Sequence, residues 1–190
     1  MTQLVFALDE YVVFDVETTG LSPWGGDEII EIGAMKIYGN ELDENNVFHS
    51  LVNPGRMIPP DAMAINGITN EMVANAPSAQ EIIPKFLDFV GTARLVAQNA
   101  KFDMGFLMKY LALFNLKKQL EVYDTIDFSR RVFPSENRHN LDVIAKRLNL
   151  SIAAPDRHRS LGDVLLTAKA FLTLREMLGS NYPAADKYAV

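Results

Sequence analysis

The sequence has no cysteine and no apolar run that approaches the length of a membrane span. The absence of cysteine excludes disulfides and thiolate metal sites. The N-terminus carries no basic segment before an apolar core, so it does not resemble a signal peptide. A helix that spans a membrane needs about 20 mostly apolar residues. We therefore expect a cytoplasmic protein with no membrane partner.

Positive charge is also scarce, since 18 lysines and arginines face 24 aspartates and glutamates, for a net charge of −6. This balance argues against a protein that coats nucleic acid by bulk electrostatics. An enzyme that grips a few nucleotides remains open, because bound metals supply positive charge locally. The length of 190 residues suits one domain, residues 1–190, with a core from about residue 11 to residue 178.

The hydrophobic pattern changes along the chain from strands to alternating strands and helices. Three strands joined by short turns are predicted first, over residues 11–17, 28–38 and 47–52. Beyond them, helices are predicted over 78–90, 102–114, 125–133, 141–148 and 161–178, with short strands over 94–97 and 121–123. The sum predicts an α/β fold with a mixed five-stranded sheet, in which an antiparallel meander precedes parallel strands flanked by helices.

Two acidic residues, Asp15 and Glu17, interrupt the apolar run of the first predicted strand. Side chains alternate along a strand, so the two carboxylates share one face. Neighbouring carboxylates repel each other and are costly to desolvate, and a divalent cation between them would remove that cost. They also end the run just before a turn, at the chain end where open sheets collect ligands. A solvated strand face is the alternative.

Asp103 and Asp163 each lie at the start of a predicted helix, and His158 precedes the second of these helices on a predicted loop. For Asp103 taken alone, a favourable interaction with the helix dipole is a sufficient explanation. A histidine in a loop beside carboxylates suits proton transfer near neutral pH, whereas an isolated surface histidine is the common alternative. Four carboxylates and one histidine meet the needs of phosphoryl chemistry with two Mg²⁺ or Mn²⁺ ions.

Three motifs carry these residues in order along the chain: Phe14-Asp-Val-Glu-Thr-Thr-Gly-Leu21, Asn99-Ala-Lys-Phe-Asp103 and His158-Arg-Ser-Leu-Gly-Asp163. At these residues the chain resembles the 3′–5′ exonuclease superfamily with four acidic residues and a histidine, the DEDDh group. It is most similar to the epsilon subunit of bacterial DNA polymerase III and to the exonuclease domain of the Gram-positive replicative polymerase. The resemblance covers most of the chain and implies a ribonuclease H-like fold.

The resemblance implies a role for each matched residue. Asp15, Glu17 and Asp163 would ligate two divalent metal ions, and Asp103 would hold one of them through water. His158 would be the general base that activates the attacking water. The residues that would contact the substrate strand are Thr18, Leu21, Ile65, Asn66, Asn99 and Phe102.

The expected function is the release of nucleoside 5′-monophosphates from the 3′ end of single-stranded DNA, in proofreading or repair. The alternatives are RNA 3′-end trimming of the oligoribonuclease type, and a non-catalytic module that binds a polymerase or nucleic acid. Asn66 and Gln98 stand where histidine is frequent in the family, and Ser160 where alanine is, which bears on substrate preference. Residues 3–6 faintly resemble a sliding-clamp-binding peptide, although an apolar edge strand explains them as well.

Overall fold

The strand that carries the paired acidic residues lies inside a six-stranded sheet. The computed structural model of the chain describes residues 9–150 and 159–190. Its strands are β1 (Glu10–Thr18), β2 (Ile29–Tyr38), β3 (Glu41–Leu51), β4 (Arg94–Ala97), β5 (Gln119–Asp124) and β6 (Asp186–Ala189). Their order across the sheet is β3-β2-β1-β4-β5-β6. Because β1 pairs antiparallel with β2 and parallel with β4, it joins the antiparallel meander to the parallel strands.

Helices cover both faces of this sheet. In the described ranges they are α1 (Pro60–Asn66), α2 (Asn70–Val73), α3 (Ala79–Val90), α4 (Ala100–Leu113), α5 (Thr125–Val132), α6 (Leu141–Arg147) and α7 (Ser160–Leu178). None of the helices in these ranges combines the length and the apolar character that crossing a membrane requires.

The alternation of side chains along β1 divides the core between the two faces. Phe14 and Val16 belong to a cluster on the side of α3 and α4, where the ring of Phe14 lies 5.5 Å from that of Phe86. Tyr11 points to the other side, where its ring lies 5.2 Å from that of Phe171 in α7. The acidic residues of β1 alternate with the first set, so they share the second face with α7.

The prediction of a mixed α/β sheet is confirmed, and the sheet has one strand more than the five predicted. The extra strand, β6, pairs antiparallel with β5. At the opposite edge, β3 begins at Glu41 rather than at residue 47, across a register shift between Met35 and Lys36 of β2. Edge strands leave one side to solvent, so polar segments with weak β propensity can form them, which hydrophobic alternation alone does not reveal.

Helices α1 and α2 lie in a stretch for which the hydrophobic pattern predicted no element. Pro60 occupies the first turn of α1, and Gly67 ends it with a positive φ of 70°. A proline at the start and a glycine just past the end are helix boundary signals. As a result, Ile65 and Asn66 lie at the end of a helix rather than in a loop.

Candidate active site

Three carboxylates from two elements meet at the end of β1. Asp15 and Glu17 come from the strand, and Asp163 comes from the first turn of α7. Each offers a carboxylate oxygen, and these oxygens all lie within 4.8 Å of one another. All three residues are partly buried, and oxygen ligands at this spacing fit a hard divalent cation. Asp15 and Glu17 therefore share one face of β1, as predicted, and Asp163 of α7 joins them there.

Asp103 lies beside this acidic cluster and is tied to the strand between its two members. It is almost fully buried in the first turn of α4, and its Oδ1 accepts a hydrogen bond from the Val16 N–H at 3.0 Å. Burial raises the pKa of Asp103 to about 8, an effect that the Val16 N–H opposes. A nearby cation would favour the charged form of this carboxyl.

The turn after β1 is organised by a single aspartate that the motifs did not indicate. Asp27 accepts hydrogen bonds from the Thr19 hydroxyl at 3.2 Å and from the Ser22 N–H at 3.0 Å. A Cβ at Gly20 would lie 2.4 Å from an oxygen of this carboxylate, so a larger residue there would displace Asp27. Asp27 thus joins the residues that precede and follow Gly20 and Leu21 in this turn.

The predicted substrate residues of this region differ in exposure. Thr18 is buried at the end of β1, and its hydroxyl donates to the Gly20 carbonyl at 2.6 Å. Leu21 and Ile65 are exposed over 84% and 67% of their surface. Phe102 is partly buried against the core, with its ring 5.3 Å from that of Phe106. Large exposed apolar side chains such as Leu21 and Ile65 are available to a ligand.

Asn66, by contrast, is turned inward. It is buried, and its Oδ1 accepts a hydrogen bond from the Ile68 N–H at 3.0 Å, which closes the turn after α1. The Asn66 side chain therefore stabilises the local backbone of this turn.

The start of α4 is held from the neighbouring strand. Asn99 adopts a left-handed backbone conformation with φ of 61°, and its N–H donates to Asp124 Oδ1 at 3.1 Å. The Ala100 N–H donates to the second oxygen of Asp124 at 3.0 Å. The amide of Gln98 donates to the His139 carbonyl at 2.9 Å, so this departure from the family is built into the packing of the neighbouring segment.

Glu31 is the largest omission of the sequence analysis. Its side chain is completely buried on β2, and it accepts hydrogen bonds from the Ser160 N–H at 2.9 Å and from Arg159 Nε at 3.1 Å. Burial alone would raise the pKa of this carboxyl, but hydrogen bonds from His49, Arg159 and the Ser160 amide lower it to about 2. A glutamate within the apolar run of residues 29–32 was the available signal.

Ser160 carries a buried hydroxyl whose Oγ has no hydrogen-bond partner among the described residues. An unsatisfied buried polar group costs about 1–3 kcal/mol. We therefore expect Ser160→Ala to leave the free energy of unfolding unchanged or to raise it by up to roughly 1 kcal/mol, measured by thermal unfolding. Ser129→Ala is the matched control, because the buried Ser129 hydroxyl lies 2.8 Å from His139 Nδ1 and its loss should destabilise the fold. Clear destabilisation by Ser160→Ala would contradict the expectation.

Two parts of the chain with predicted roles lie outside the described residues. They are His158, the predicted general base, and residues 3–6, the segment compared with a clamp-binding peptide. The described chain resumes at Arg159, whose backbone carbonyl accepts a hydrogen bond from the Asp163 N–H at 3.1 Å.

Comparison with known proteins agrees with this geometry. A family model described as Exonuclease (RNase_T) matches residues 12–171. A DNA polymerase III subunit epsilon-like protein of Rhodobacter capsulatus is 45% identical over 164 residues, which are 86% of this chain and 23% of that protein. The DNA polymerase III subunit epsilon of Buchnera aphidicola is 36% identical over 172 residues, covering 86% of this chain and 69% of that one. The structure of exonuclease X in complex with 5′ overhanging duplex DNA superposes with a TM-score of 0.74 at 28% identity, covering 92% of this chain and 95% of that one.

The fold is that of the exonuclease family, and the acidic cluster offers oxygen ligands suited to a divalent cation. The chain belongs to the exonuclease family, and the resemblance to DEDDh 3′–5′ exonucleases is confirmed. It is similar to the epsilon subunit of DNA polymerase III over nearly its whole length, although it spans only 23% of the Rhodobacter relative.

Proposed function

We propose that this chain is a 3′–5′ exonuclease that releases nucleoside 5′-monophosphates from the 3′ end of single-stranded DNA, using two Mg²⁺ or Mn²⁺ ions. The observation that carries the proposal is the meeting of Asp15, Glu17 and Asp163 oxygens within 4.8 Å at the end of β1. Two divalent ions roughly 3.5–4 Å apart stabilise both the attacking and the leaving oxygen in this class of reaction. Three carboxylates this close together repel one another, and divalent cations between them would offset that repulsion.

The chemistry assigns each protein group a separate task. Asp15, Glu17 and Asp163 would hold the ions, Asp103 would act through a water molecule, and the ions would stabilise the charge that develops on the phosphate. His158 takes a proton from the attacking water, whose oxygen forms the new bond to the scissile phosphorus. The bond between phosphorus and the 3′ oxygen breaks, which leaves a shortened strand and a nucleoside 5′-monophosphate. General base catalysis of this kind contributes typically 10²–10⁴-fold.

Substrate contacts are proposed for the residues around the cluster. Leu21 and Ile65 are exposed apolar side chains suited to packing against the terminal bases. Thr18 lies at the end of β1, and we assign a contact with the terminal nucleotide to it and to the backbone near it. Asn99, Asn66 and Phe102 complete the proposed set.

Proofreading beside a replicative polymerase is the biological role we propose, and it rests on the names of the relatives. A test is co-elution of the chain with the polymerase subunit of its own replicase in size-exclusion chromatography. Separate elution at micromolar concentration would favour a freestanding repair exonuclease. The cytoplasmic location remains a prediction from the sequence.

The activity is tested with 5′-labelled single-stranded DNA and RNA of matched sequence, in Mg²⁺ or Mn²⁺ and with EDTA as control. We expect a ladder of 3′-shortened DNA that EDTA abolishes. A ladder on RNA alone would keep the chemistry and overturn the DNA assignment, because the 2′-hydroxyl distinguishes the two substrates. Absence of any ladder would favour a binding module.

Binding can be followed separately from cleavage. Trp24 is the single tryptophan of the sequence, is 69% exposed, and lies three residues after Leu21. Its fluorescence, measured in EDTA, therefore reports on a strand that binds next to this turn without being cut. A non-catalytic module would show this binding signal and no ladder.

A further inference from the structure

Glu31 lies beside the acidic cluster without belonging to it. It is paired directly with Glu17 across β1 and β2, and its side chain is completely buried. A buried carboxylate is costly unless it is paired and hydrogen-bonded, so its partners indicate what it holds in place. Among the described residues, the partners are His49 on β3 and the two residues at the start of α7, Arg159 and Ser160.

The contacts with α7 fix both the direction and the position of the helix start. Arg159 Nε lies 3.1 Å from each oxygen of Glu31, and Arg159 Nη2 makes a further contact with the same carboxylate. The Ser160 N–H donates to Glu31 Oε2 at 2.9 Å. The N-cap residue, Arg159, makes no side-chain cap of its own, so Glu31 supplies the cap from another strand. A negative charge at this position also favours the helix dipole.

The backbone of β2 lies directly against the same turn of α7. A Cβ at Gly33, two residues after Glu31 on the same face, would lie 2.6 Å from Ser160 Oγ and 3.0 Å from the Ser160 carbonyl carbon. The helix start is therefore packed onto the strand as well as bonded to it. There is no room for a side chain at residue 33 between β2 and the first turn of α7.

We infer that Glu31 is a positioning residue that sets the first turn of α7 against β1, and thereby places Asp163 in the acidic cluster. Asp163 is joined to this turn by its N–H bond to the Arg159 carbonyl at 3.1 Å. The inference rests on the proposed function, since it assigns Glu31 the task of aligning a residue proposed to hold metal.

The test is the affinity for Mn²⁺, measured by isothermal titration calorimetry on the protein without substrate. Glu31→Gln keeps the shape of the side chain and removes the charge that pairs with Arg159. Loss of a group that orients metal ligands typically costs 10–100-fold in metal affinity or activity, so we expect a Kd for Mn²⁺ raised by about 10-fold or more, with a parallel fall in kcat. A purely stabilising role would lower the melting temperature and leave Kd unchanged.

The matched control is Glu10→Gln, the same substitution in the same pair of strands. Glu10 pairs with Lys36 Nζ at 2.6 Å, at the opposite end of β1 from the acidic cluster. We expect this variant to keep the wild-type Kd for Mn²⁺ and the wild-type kcat. Equal increases in Kd for both variants would overturn the inference, because they would trace the effect to general loss of stability.

A second variant covers the case in which Glu31→Gln does not fold. Arg159→Lys keeps the positive charge and the Ser160 amide bond but loses the two-nitrogen fork, so it should raise Kd for Mn²⁺ to an intermediate value. Folded Glu31→Gln or Arg159→Lys protein with wild-type affinity and rate would overturn the inference while the exonuclease stands. A wild-type protein that binds Mn²⁺ yet cleaves neither DNA nor RNA would defeat the proposed function, and the comparison of affinities would still decide the role of Glu31.

Discussion

Replacing Asp15 by asparagine is expected to lower turnover by at least about 10³-fold while the protein stays folded. The side chain belongs to the acidic cluster rather than to the apolar core, and its backbone partner across the sheet is Gly33. Asparagine has nearly the same shape, so the sheet pairing should survive. The carboxylate charge that would hold a metal ion is lost, and metal ions stabilise transition-state charge by several kcal/mol.

The thermal behaviour of Asp15→Asn gives a second, independent outcome. Three carboxylates with oxygens within 4.8 Å repel one another, so the variant should melt at the wild-type temperature or higher in EDTA. Added Mn²⁺ should then raise its melting temperature less than it raises that of the wild type, because a ligand stabilises the folded state it binds. Circular dichroism melts with and without Mn²⁺ measure both effects.

Asp88→Asn is the matched control for this prediction. Asp88 is exposed on α3, on the opposite face of the sheet from α7, and lies outside the acidic cluster. The Asp88→Asn variant should keep the wild-type turnover and the wild-type rise in melting temperature with Mn²⁺. Full turnover by folded Asp15→Asn would rule out the assignment of metal ligands.

The parts of the site that the sequence predicted are those determined by local chain geometry. Alternation along β1 is enough to place Asp15 and Glu17 on one face, and the start of a helix is enough to place Asp103 and Asp163. The same reasoning placed most strands and the longer helices within a few residues. These predictions need no knowledge of which elements touch.

The parts that were missed depend on pairing between distant segments. In the sequence, Glu31 is a single charged residue within an apolar run. Its burial is explained only by its pairing with Glu17 and by the packing of α7 against β2. The hydrogen bond from Val16 to Asp103 joins residues 87 apart in the chain. Asp27 likewise lies outside the three motifs, and it accepts a hydrogen bond from the Ser22 N–H in the turn after β1.

The edges of the fold were missed for a different reason. The strands β3 and β6 carry polar residues where hydrophobic alternation was required for a prediction, and edge strands tolerate such residues because one side faces water. Helix α1 could have been found from Pro60 and Gly67, which mark its two ends.

His158→Ala is expected to lower kcat by about 10²-fold or more while Mn²⁺ still binds. A general base accepts a proton only in its neutral form, so the wild-type rate should rise with pH over the range in which a histidine loses its proton. The variant should lose this rising limb, because no histidine remains to be deprotonated. The measurement is kcat on single-stranded DNA from pH 5.5 to 8.5 at saturating Mn²⁺, with Kd for Mn²⁺ measured in parallel.

His139→Ala separates the loss of this base from the loss of any histidine. The His139 ring is bonded to Ser129 on α5 and to the Glu136 carbonyl, so its removal should lower the melting temperature and leave the pH dependence of kcat intact. A rising limb that persists in His158→Ala would assign proton transfer to another group.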